Sequence, residues 1–191
     1  MLEKLPAGIG RALKGVRPGI EHLVTQDEAF AAVPDVIALT SSAFVADGPL
    51  PARYTEDGEK LSPPLEWIGV PPEAKALVLL VEDADSPTFK PLVHAILGEL
   101  EPIDGGLAEG ALPGSSSDEL RFGMGRNSYL QQCWMAPDPP PGHGPHRYAF
   151  QIFALDEAPV FNKTPGRSAL VAALHGHVIA KGVLIGTYGR P

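Results

Sequence analysis

Two short stretches put acidic, imidazole and phenolic groups where strands begin or end. In Glu82-Asp83-Ala84-Asp85-Ser86-Pro87, two carboxylates stand two residues apart, so an extended backbone turns both to the same side. In Pro139-Pro140-Pro141-Gly142-His143-Gly144-Pro145-His146-Arg147-Tyr148, a stiff loop leads into His146 and Tyr148, again two apart. A carboxylate beside an imidazole favours the charged ring and can orient it. An imidazolium and a phenol O–H can then donate to phosphate oxygens. His94 adds a further imidazole soon after the Asp pair. Each signal alone is weak: Asp-x-Asp before proline most often caps a turn, and a lone His among aliphatic residues most often sits in a core. A second chemistry uses the same groups. Two Asp with His94, His143 and His146 could form a metal site or an acid/base pair for phosphoester hydrolysis, although their spacing matches no known metal motif.

Other catalytic signals are poor. There is no Gly-x-Ser-x-Gly elbow, and Ser62 precedes a proline pair. Gly123 to Tyr129 is glycine-bearing but lacks the strand-GxGxxG-helix context of a phosphate loop. Cys133 is the sole cysteine, which excludes an intramolecular disulfide and reads as a buried, inert thiol.

Positioning these groups requires strands and stiff loops. The proline run suits a rigid rim rather than a sheet interior. His146 to Leu155 has strand length and alternates, with His146, Tyr148, Phe150 and Ile152 on one face and Arg147, Ala149, Gln151 and Phe153 on the other. Ala76 to Val81 is an apolar run that predicts a strand buried on both faces. Pro91 to Leu97 predicts a strand with Leu92, His94 and Ile96 on one side. Short strands are also expected over Asp35 to Leu39 and Gly182 to Tyr188, a loop over Glu99 to Asp118, and a helix over Pro165 to Ala180. That helix puts Leu170, Leu174, His177 and Val178 near one face, with His175 and His177 as packing or helix-end residues. Trp67, in a proline-stiffened stretch, is expected in the core. Near the start, Leu2, Leu5, Ile9, Leu13 and Val16 are spaced as on an amphipathic helix, weakened by Gly8, Gly10 and Gly15 and ended by Pro18. It reads as an arm packed on its own domain or on a second subunit, ahead of a membrane-surface helix.

The chain has 191 residues with 21 Gly and 21 Pro, which fits one domain rich in turns and therefore in β structure. A net charge of −8 argues against nucleic acid and anionic membranes as general partners. No apolar run approaches the roughly 20 residues of a membrane span, and a secretory signal core is missing, so a cytoplasmic location is the expectation.

Four ordered stretches resemble the phosphatidylethanolamine-binding protein family, also called Raf kinase inhibitor-like proteins, in its bacterial branch. They are Asp57-Gly58-Glu59 with Ser62-Pro63-Pro64-Leu65-Glu66-Trp67, Val81 to Pro87 with His94, Pro139 to Tyr148, and Gly176-His177-Val178 with Gly186-Thr187-Tyr188. The resemblance implies a mainly β fold, an antiparallel β-sandwich with short peripheral helices and a C-terminal helix. The four stretches span about Leu39 to Tyr188, so the family domain is expected over 35–191, and the partly helical arm over 1–34, read from its spacing, is the part that the resemblance does not cover. The resemblance also implies a small anion pocket formed by Asp83, Asp85, Pro87, His94, Pro140, His146 and Tyr148. The function implied is non-enzymatic binding of a phosphate-bearing ligand, such as a phospholipid head group, with no cofactor and with a kinase or hydrolase as a protein partner; a homodimer is a further reading. Three positions depart from the family pattern: Ala95 where Trp is common, Asp138 in a loop of small residues, and Lys60 where an acidic or amide residue is usual.

Overall fold

The computed structural model describes residues 6–115 and 123–191. Two antiparallel sheets carry the fold. The larger orders its strands β4-β3-β6-β7, from β3 (Ala76–Asp83), β4 (Leu92–Leu100), β6 (His146–Leu155) and β7 (Val178–Tyr188). The smaller orders β1-β2-β5, from β1 (Ala38–Thr40), β2 (Leu65–Ile68) and β5 (Gly105–Leu107).

The pleat sorts the side chains. Leu77, Leu79 and Val81 of β3 and Tyr148, Phe150 and Ile152 of β6 meet Leu39, Leu65 and Trp67 of the smaller sheet in the main core. The alternate residues Ala76, Val78, Leu80 and Phe153 face the opposite way. They pack under Val24 and Phe30 of the N-terminal arm and under Leu170 and Leu174 of a helix near the C-terminus. Both faces of β3 are therefore buried, as its continuous apolar run predicts. The mainly β, antiparallel sandwich with peripheral helices is the observed architecture.

Local departures have physical reasons. The C-terminal helix α2 spans only Arg167–Leu174, because His175 turns extended and Gly176 takes φ +82°. His177 and Val178 thus leave the expected helical face, and Val178 starts β7, four residues before the expected strand. The His175 ring instead lies 5.4 Å from Phe30. The loop expected after Glu99 contains β5, which pairs with β2; its residues 116–118 lie outside those described. β1 begins at Ala38 rather than Asp35. Trp67 is buried as expected, and its indole N–H donates to the Ile103 carbonyl at 2.9 Å.

The arm carries one short helix, α1 (Ala7–Leu13), followed by three single 3₁₀ turns. α1 ends at Leu13, before Gly15 and well before Pro18; Leu2 and Leu5 lie outside the described residues. A buried polar network ties the arm to the sheet. Glu82, fully buried, accepts from Arg167 Nε at 2.6 Å, Gln151 Nε2 at 2.8 Å and the Val24 N–H at 3.2 Å. Lys181 Nζ donates to the Thr25 and Phe30 carbonyls. Buried charges satisfied in this way fix the docking of the segment that supplies the partners.

Candidate functional site

At one end of the larger sheet, β3 leaves the core, β4 enters it and β6 begins. A cavity of about 560 Å³ opens there, with Asp83, Pro87, His94 and His146 in its lining. Trp134, Met135, Ala136 and Asp138 are among the residues that line it from the loop side.

His94 reaches this wall through a bulge. Val81 pairs with Ala95 while Glu82 pairs with Val93, so β4 spends His94 as an extra residue between two ladder positions. A bulge of this kind re-aims a side chain beside a site. It also breaks the simple alternation expected from the sequence: His94 and Ala95 both serve the cavity and main-core side, whereas Ile96 packs in the opposite cluster.

Hydrogen bonds fix the ring chemistry. His94 Nδ1 lies 2.6 Å from the Met135 carbonyl, which can only accept, so Nδ1 carries a proton. Burial pushes this imidazole below its ordinary value of 6.5, outweighing the Asp83 carboxylate, which pulls the other way. The ring is therefore neutral at pH 7 and its Nε2 is a bare acceptor. Among the described residues, three buried polar side-chain atoms lack a hydrogen-bond partner: His94 Nε2, Trp134 Nε1 and the Tyr148 hydroxyl. All three belong to one aromatic cluster, with His94 edge-on to Tyr148 at 5.2 Å and 6.2 Å from Trp134. Burial and the neighbouring Asp83 hold the Tyr148 phenol well above 10, so it keeps its proton.

The two carboxylates part company. Asp83 Oδ2 meets His146 Nδ1 at 2.7 Å, and its Oδ1 accepts the Asp85 N–H at 2.8 Å, which closes the turn. Asp85 faces the other side of the sheet. It accepts from the Arg147 N–H, Nε and Nη2 at 2.7–2.9 Å and pairs with Arg17 Nη1 at 3.2 Å. Burial alone would raise the Asp85 carboxyl; the bonds from Arg147 and Arg17 hold it below its usual value. Of the seven residues read from the sequence, Asp83, Pro87, His94 and His146 line the cavity and Tyr148 packs against His94. Asp85 braces the turn from outside. Pro140 is buried in the loop, where its carbonyl accepts the His143 N–H at 3.1 Å.

Trp134 is a site residue that the sequence does not single out. It follows the lone Cys133 in a segment without strand or helix periodicity, so nothing but its residue type marks it. Its ring stacks on Phe150 at 6.3 Å and supplies the cavity with an indole wall, while Ala95 is buried in the main core and is not part of the cavity lining. The departures at Asp138 and Lys60 are both paired. Asp138 receives Arg190 Nη1 at 2.7 Å, and Lys60 Nζ donates to Glu56 at 2.6 Å. The same Arg190 guanidinium holds Asp57 through two bonds.

Comparison with known proteins agrees with this construction. The family described as Phosphatidylethanolamine-binding protein matches residues 40–189. A UPF0098 protein of Methanothermobacter thermautotrophicus is 40% identical over 159 residues, covering 80% of this chain and 98% of the relative. The crystal structure of a phosphatidylethanolamine-binding protein homologue from Chlamydia trachomatis is 36% identical, with a TM-score of 0.71, over 82% of this chain and 99% of that one. Escherichia coli YbcL has the same fold, with a TM-score of 0.71 at 24% identity, over 81% of this chain and 99% of its own. On the family match over residues 40–189 and the 40% identity to a relative covered almost in full, the chain belongs to the phosphatidylethanolamine-binding protein family.

Proposed function

We propose that the cavity binds the phosphate group of a small ligand, such as a phospholipid head group or a phosphorylated side chain, and that the protein acts by binding rather than by catalysis. The observation that carries this reading is the trio of unpartnered buried atoms at His94, Trp134 and Tyr148. Buried polar atoms are almost always hydrogen-bonded, so three in one cluster ask for a guest with several oxygens. The chemistry suits a hydrogen-bearing phosphate: the indole N–H and the phenol O–H donate, and the bare His94 Nε2 accepts the ligand's proton. Arg190 and Lys60, paired with the acidic groups of the rim, lessen the repulsion an anion meets on entry. A kinase or hydrolase whose phosphorylated segment enters this cavity is the class of protein partner that fits, and the reading extends to a cytoplasmic protein.

Calorimetric titration with inorganic phosphate, O-phosphorylethanolamine and ethanolamine tests it. Saturable binding of both phosphates with loss of binding in His94→Phe is expected. Tighter binding of the phosphorylethanolamine points to a head group, and equal binding to the phosphate alone. Binding of ethanolamine but of neither phosphate would contradict the proposal.

A further inference from the structure

Behind the cavity, a line of hydrogen bonds runs from Asp83 through two imidazoles to the N-terminal arm. Asp83 Oδ2 meets His146 Nδ1 at 2.7 Å, His146 Nε2 meets His143 Nδ1 at 2.7 Å, and His143 Nε2 meets the Leu13 carbonyl at 2.9 Å. Both rings are buried. The direction of every bond follows from the last one. A carbonyl only accepts, so His143 Nε2 carries a proton. Burial keeps the His143 ring neutral at pH 7, against the pull of the Leu13 carbonyl, so its Nδ1 is an acceptor; Arg17 Nη2, 3.5 Å from that nitrogen, is a second donor aimed at it. His146 Nε2 must then donate. Its Nδ1 still faces Asp83 at hydrogen-bonding distance, which requires a further proton between the two. The pair is therefore a carboxylate with an imidazolium, or a carboxylic acid with a neutral ring, and either has no net charge. Without His143, the pair relaxes to a carboxylate bonded to an Nδ1–H ring, with a net charge of −1 beside the cavity.

The carbonyl at the end of this line belongs to α1, which precedes the family match at residue 40. α1 is seated on the proline loop closely enough to hold its register. A Cβ at Gly10 would lie 2.0 Å from the Pro141 carbonyl oxygen, whereas a Cβ at Gly8 meets nothing. Arg17 adds bonds to the His143 and Pro145 carbonyls and to Asp85. The charged or titratable groups facing the two rings are thus Asp83 from the turn, His94 and Tyr148 from the sheet and Arg17 from the arm, while Asp85 pairs with Arg17 and Asp138 acts on His94.

We propose that His143, fixed by the Leu13 carbonyl of α1, is a positioning residue that keeps His146 a donor at Nε2 and the Asp83–His146 pair neutral, so that docking of the N-terminal helix sets the cavity's affinity for anions. The affinity half of this statement rests on the phosphate-binding reading; the protonation half does not.

The test uses the full chain, with sulfate as probe. Nitrogen-15 spectra of the histidine rings without ligand at pH 8 should show His146 Nε2 protonated in the wild type and in His143→Gln, whose amide oxygen accepts and whose NH₂ donates in place of the two ring nitrogens. In His143→Leu, Nε2 should lose its proton while Nδ1 keeps one. Sulfate affinity should fall roughly tenfold to a hundredfold in His143→Leu, the range for a like unit charge about 6–11 Å away at an effective dielectric constant of about 20, and be restored in His143→Gln. Gly10→Ala should move both readouts toward those of His143→Leu, and Gly8→Ala should leave both unchanged. A wild-type His146 with a bare Nε2, or a His143→Leu protein with the wild-type ring pattern, overturns the proposal. If no variant binds sulfate while the ring patterns behave as stated, the phosphate-binding reading fails and the relay stands.

Discussion

Sulfate binding should take up a proton, and the count follows from His94. In the unliganded protein the His94 Nδ1–H is committed to the Met135 carbonyl and Nε2 is bare. Sulfate, unlike hydrogen phosphate, brings no proton near neutral pH, so it must face a lone pair unless Nε2 is protonated from solvent. Burial has already pushed the free ring below 6.5. The anion opposes that effect by supplying a counter-charge. A charge-assisted bond of about 1.5–3 kcal/mol raises the ring by roughly one to two pH units in the complex. The sign is then fixed. Affinity is lowest above the liganded value, climbs as pH falls by up to one log unit per pH unit, and levels off below the free value. Calorimetry of sulfate binding at pH 6.5 in buffers of different ionisation enthalpy reads the uptake directly. We expect a fraction of a proton per sulfate, at most about 0.5–0.8 for a rise of one to two pH units, falling to near zero in His94→Gln. Binding without proton uptake, or affinity that rises with pH, would refute the assignment of His94 as the acceptor.

Two further outcomes concern what holds the site in place. Asp85→Asn should cost about 2 kcal/mol in urea unfolding, since Asp85 is buried while Arg147 is partly exposed and screened. Because the Asp85 carboxyl is held below its usual value, its contribution is present above pH ~4 and fades as pH falls further, so the gap between variant and wild type should narrow in acid. Gly142→Ala should destabilise by about 1–2 kcal/mol from its φ of +77° alone. The new Cβ, 2.7 Å from the Ala7 carbonyl oxygen, should also raise hydrogen exchange in α1 ahead of β6.

The parts of the fold that repeat along the chain are legible in the order of residues alone. Ala76 to Val81 announces the doubly buried β3 by an unbroken apolar run, and β6 announces its two faces by its period of two, with Tyr148 and Phe150 in one cluster and Phe153 in the other. What stays hidden depends on interruptions of those patterns. The bulge at His94 moves Ile96 to the opposite face, and period counting assumes no extra residue. β2 and β5, with four and three residues, are too short to alternate visibly. Asp83 and Asp85 share a side only in an extended chain; here the turn closed by the Asp85 N–H sends the second carboxylate to Arg147. Trp134 and the link from His143 to Leu13, 130 residues away, are contacts between irregular segments, which no local spacing encodes.

The most direct measurement is the position of an anion in crystals of the protein soaked with O-phosphorylethanolamine. Tetrahedral density is expected in the cavity within hydrogen-bonding reach of His94 Nε2 and Trp134 Nε1. A cavity holding only water at saturating ligand, with those two nitrogens bonded to solvent, would contradict it.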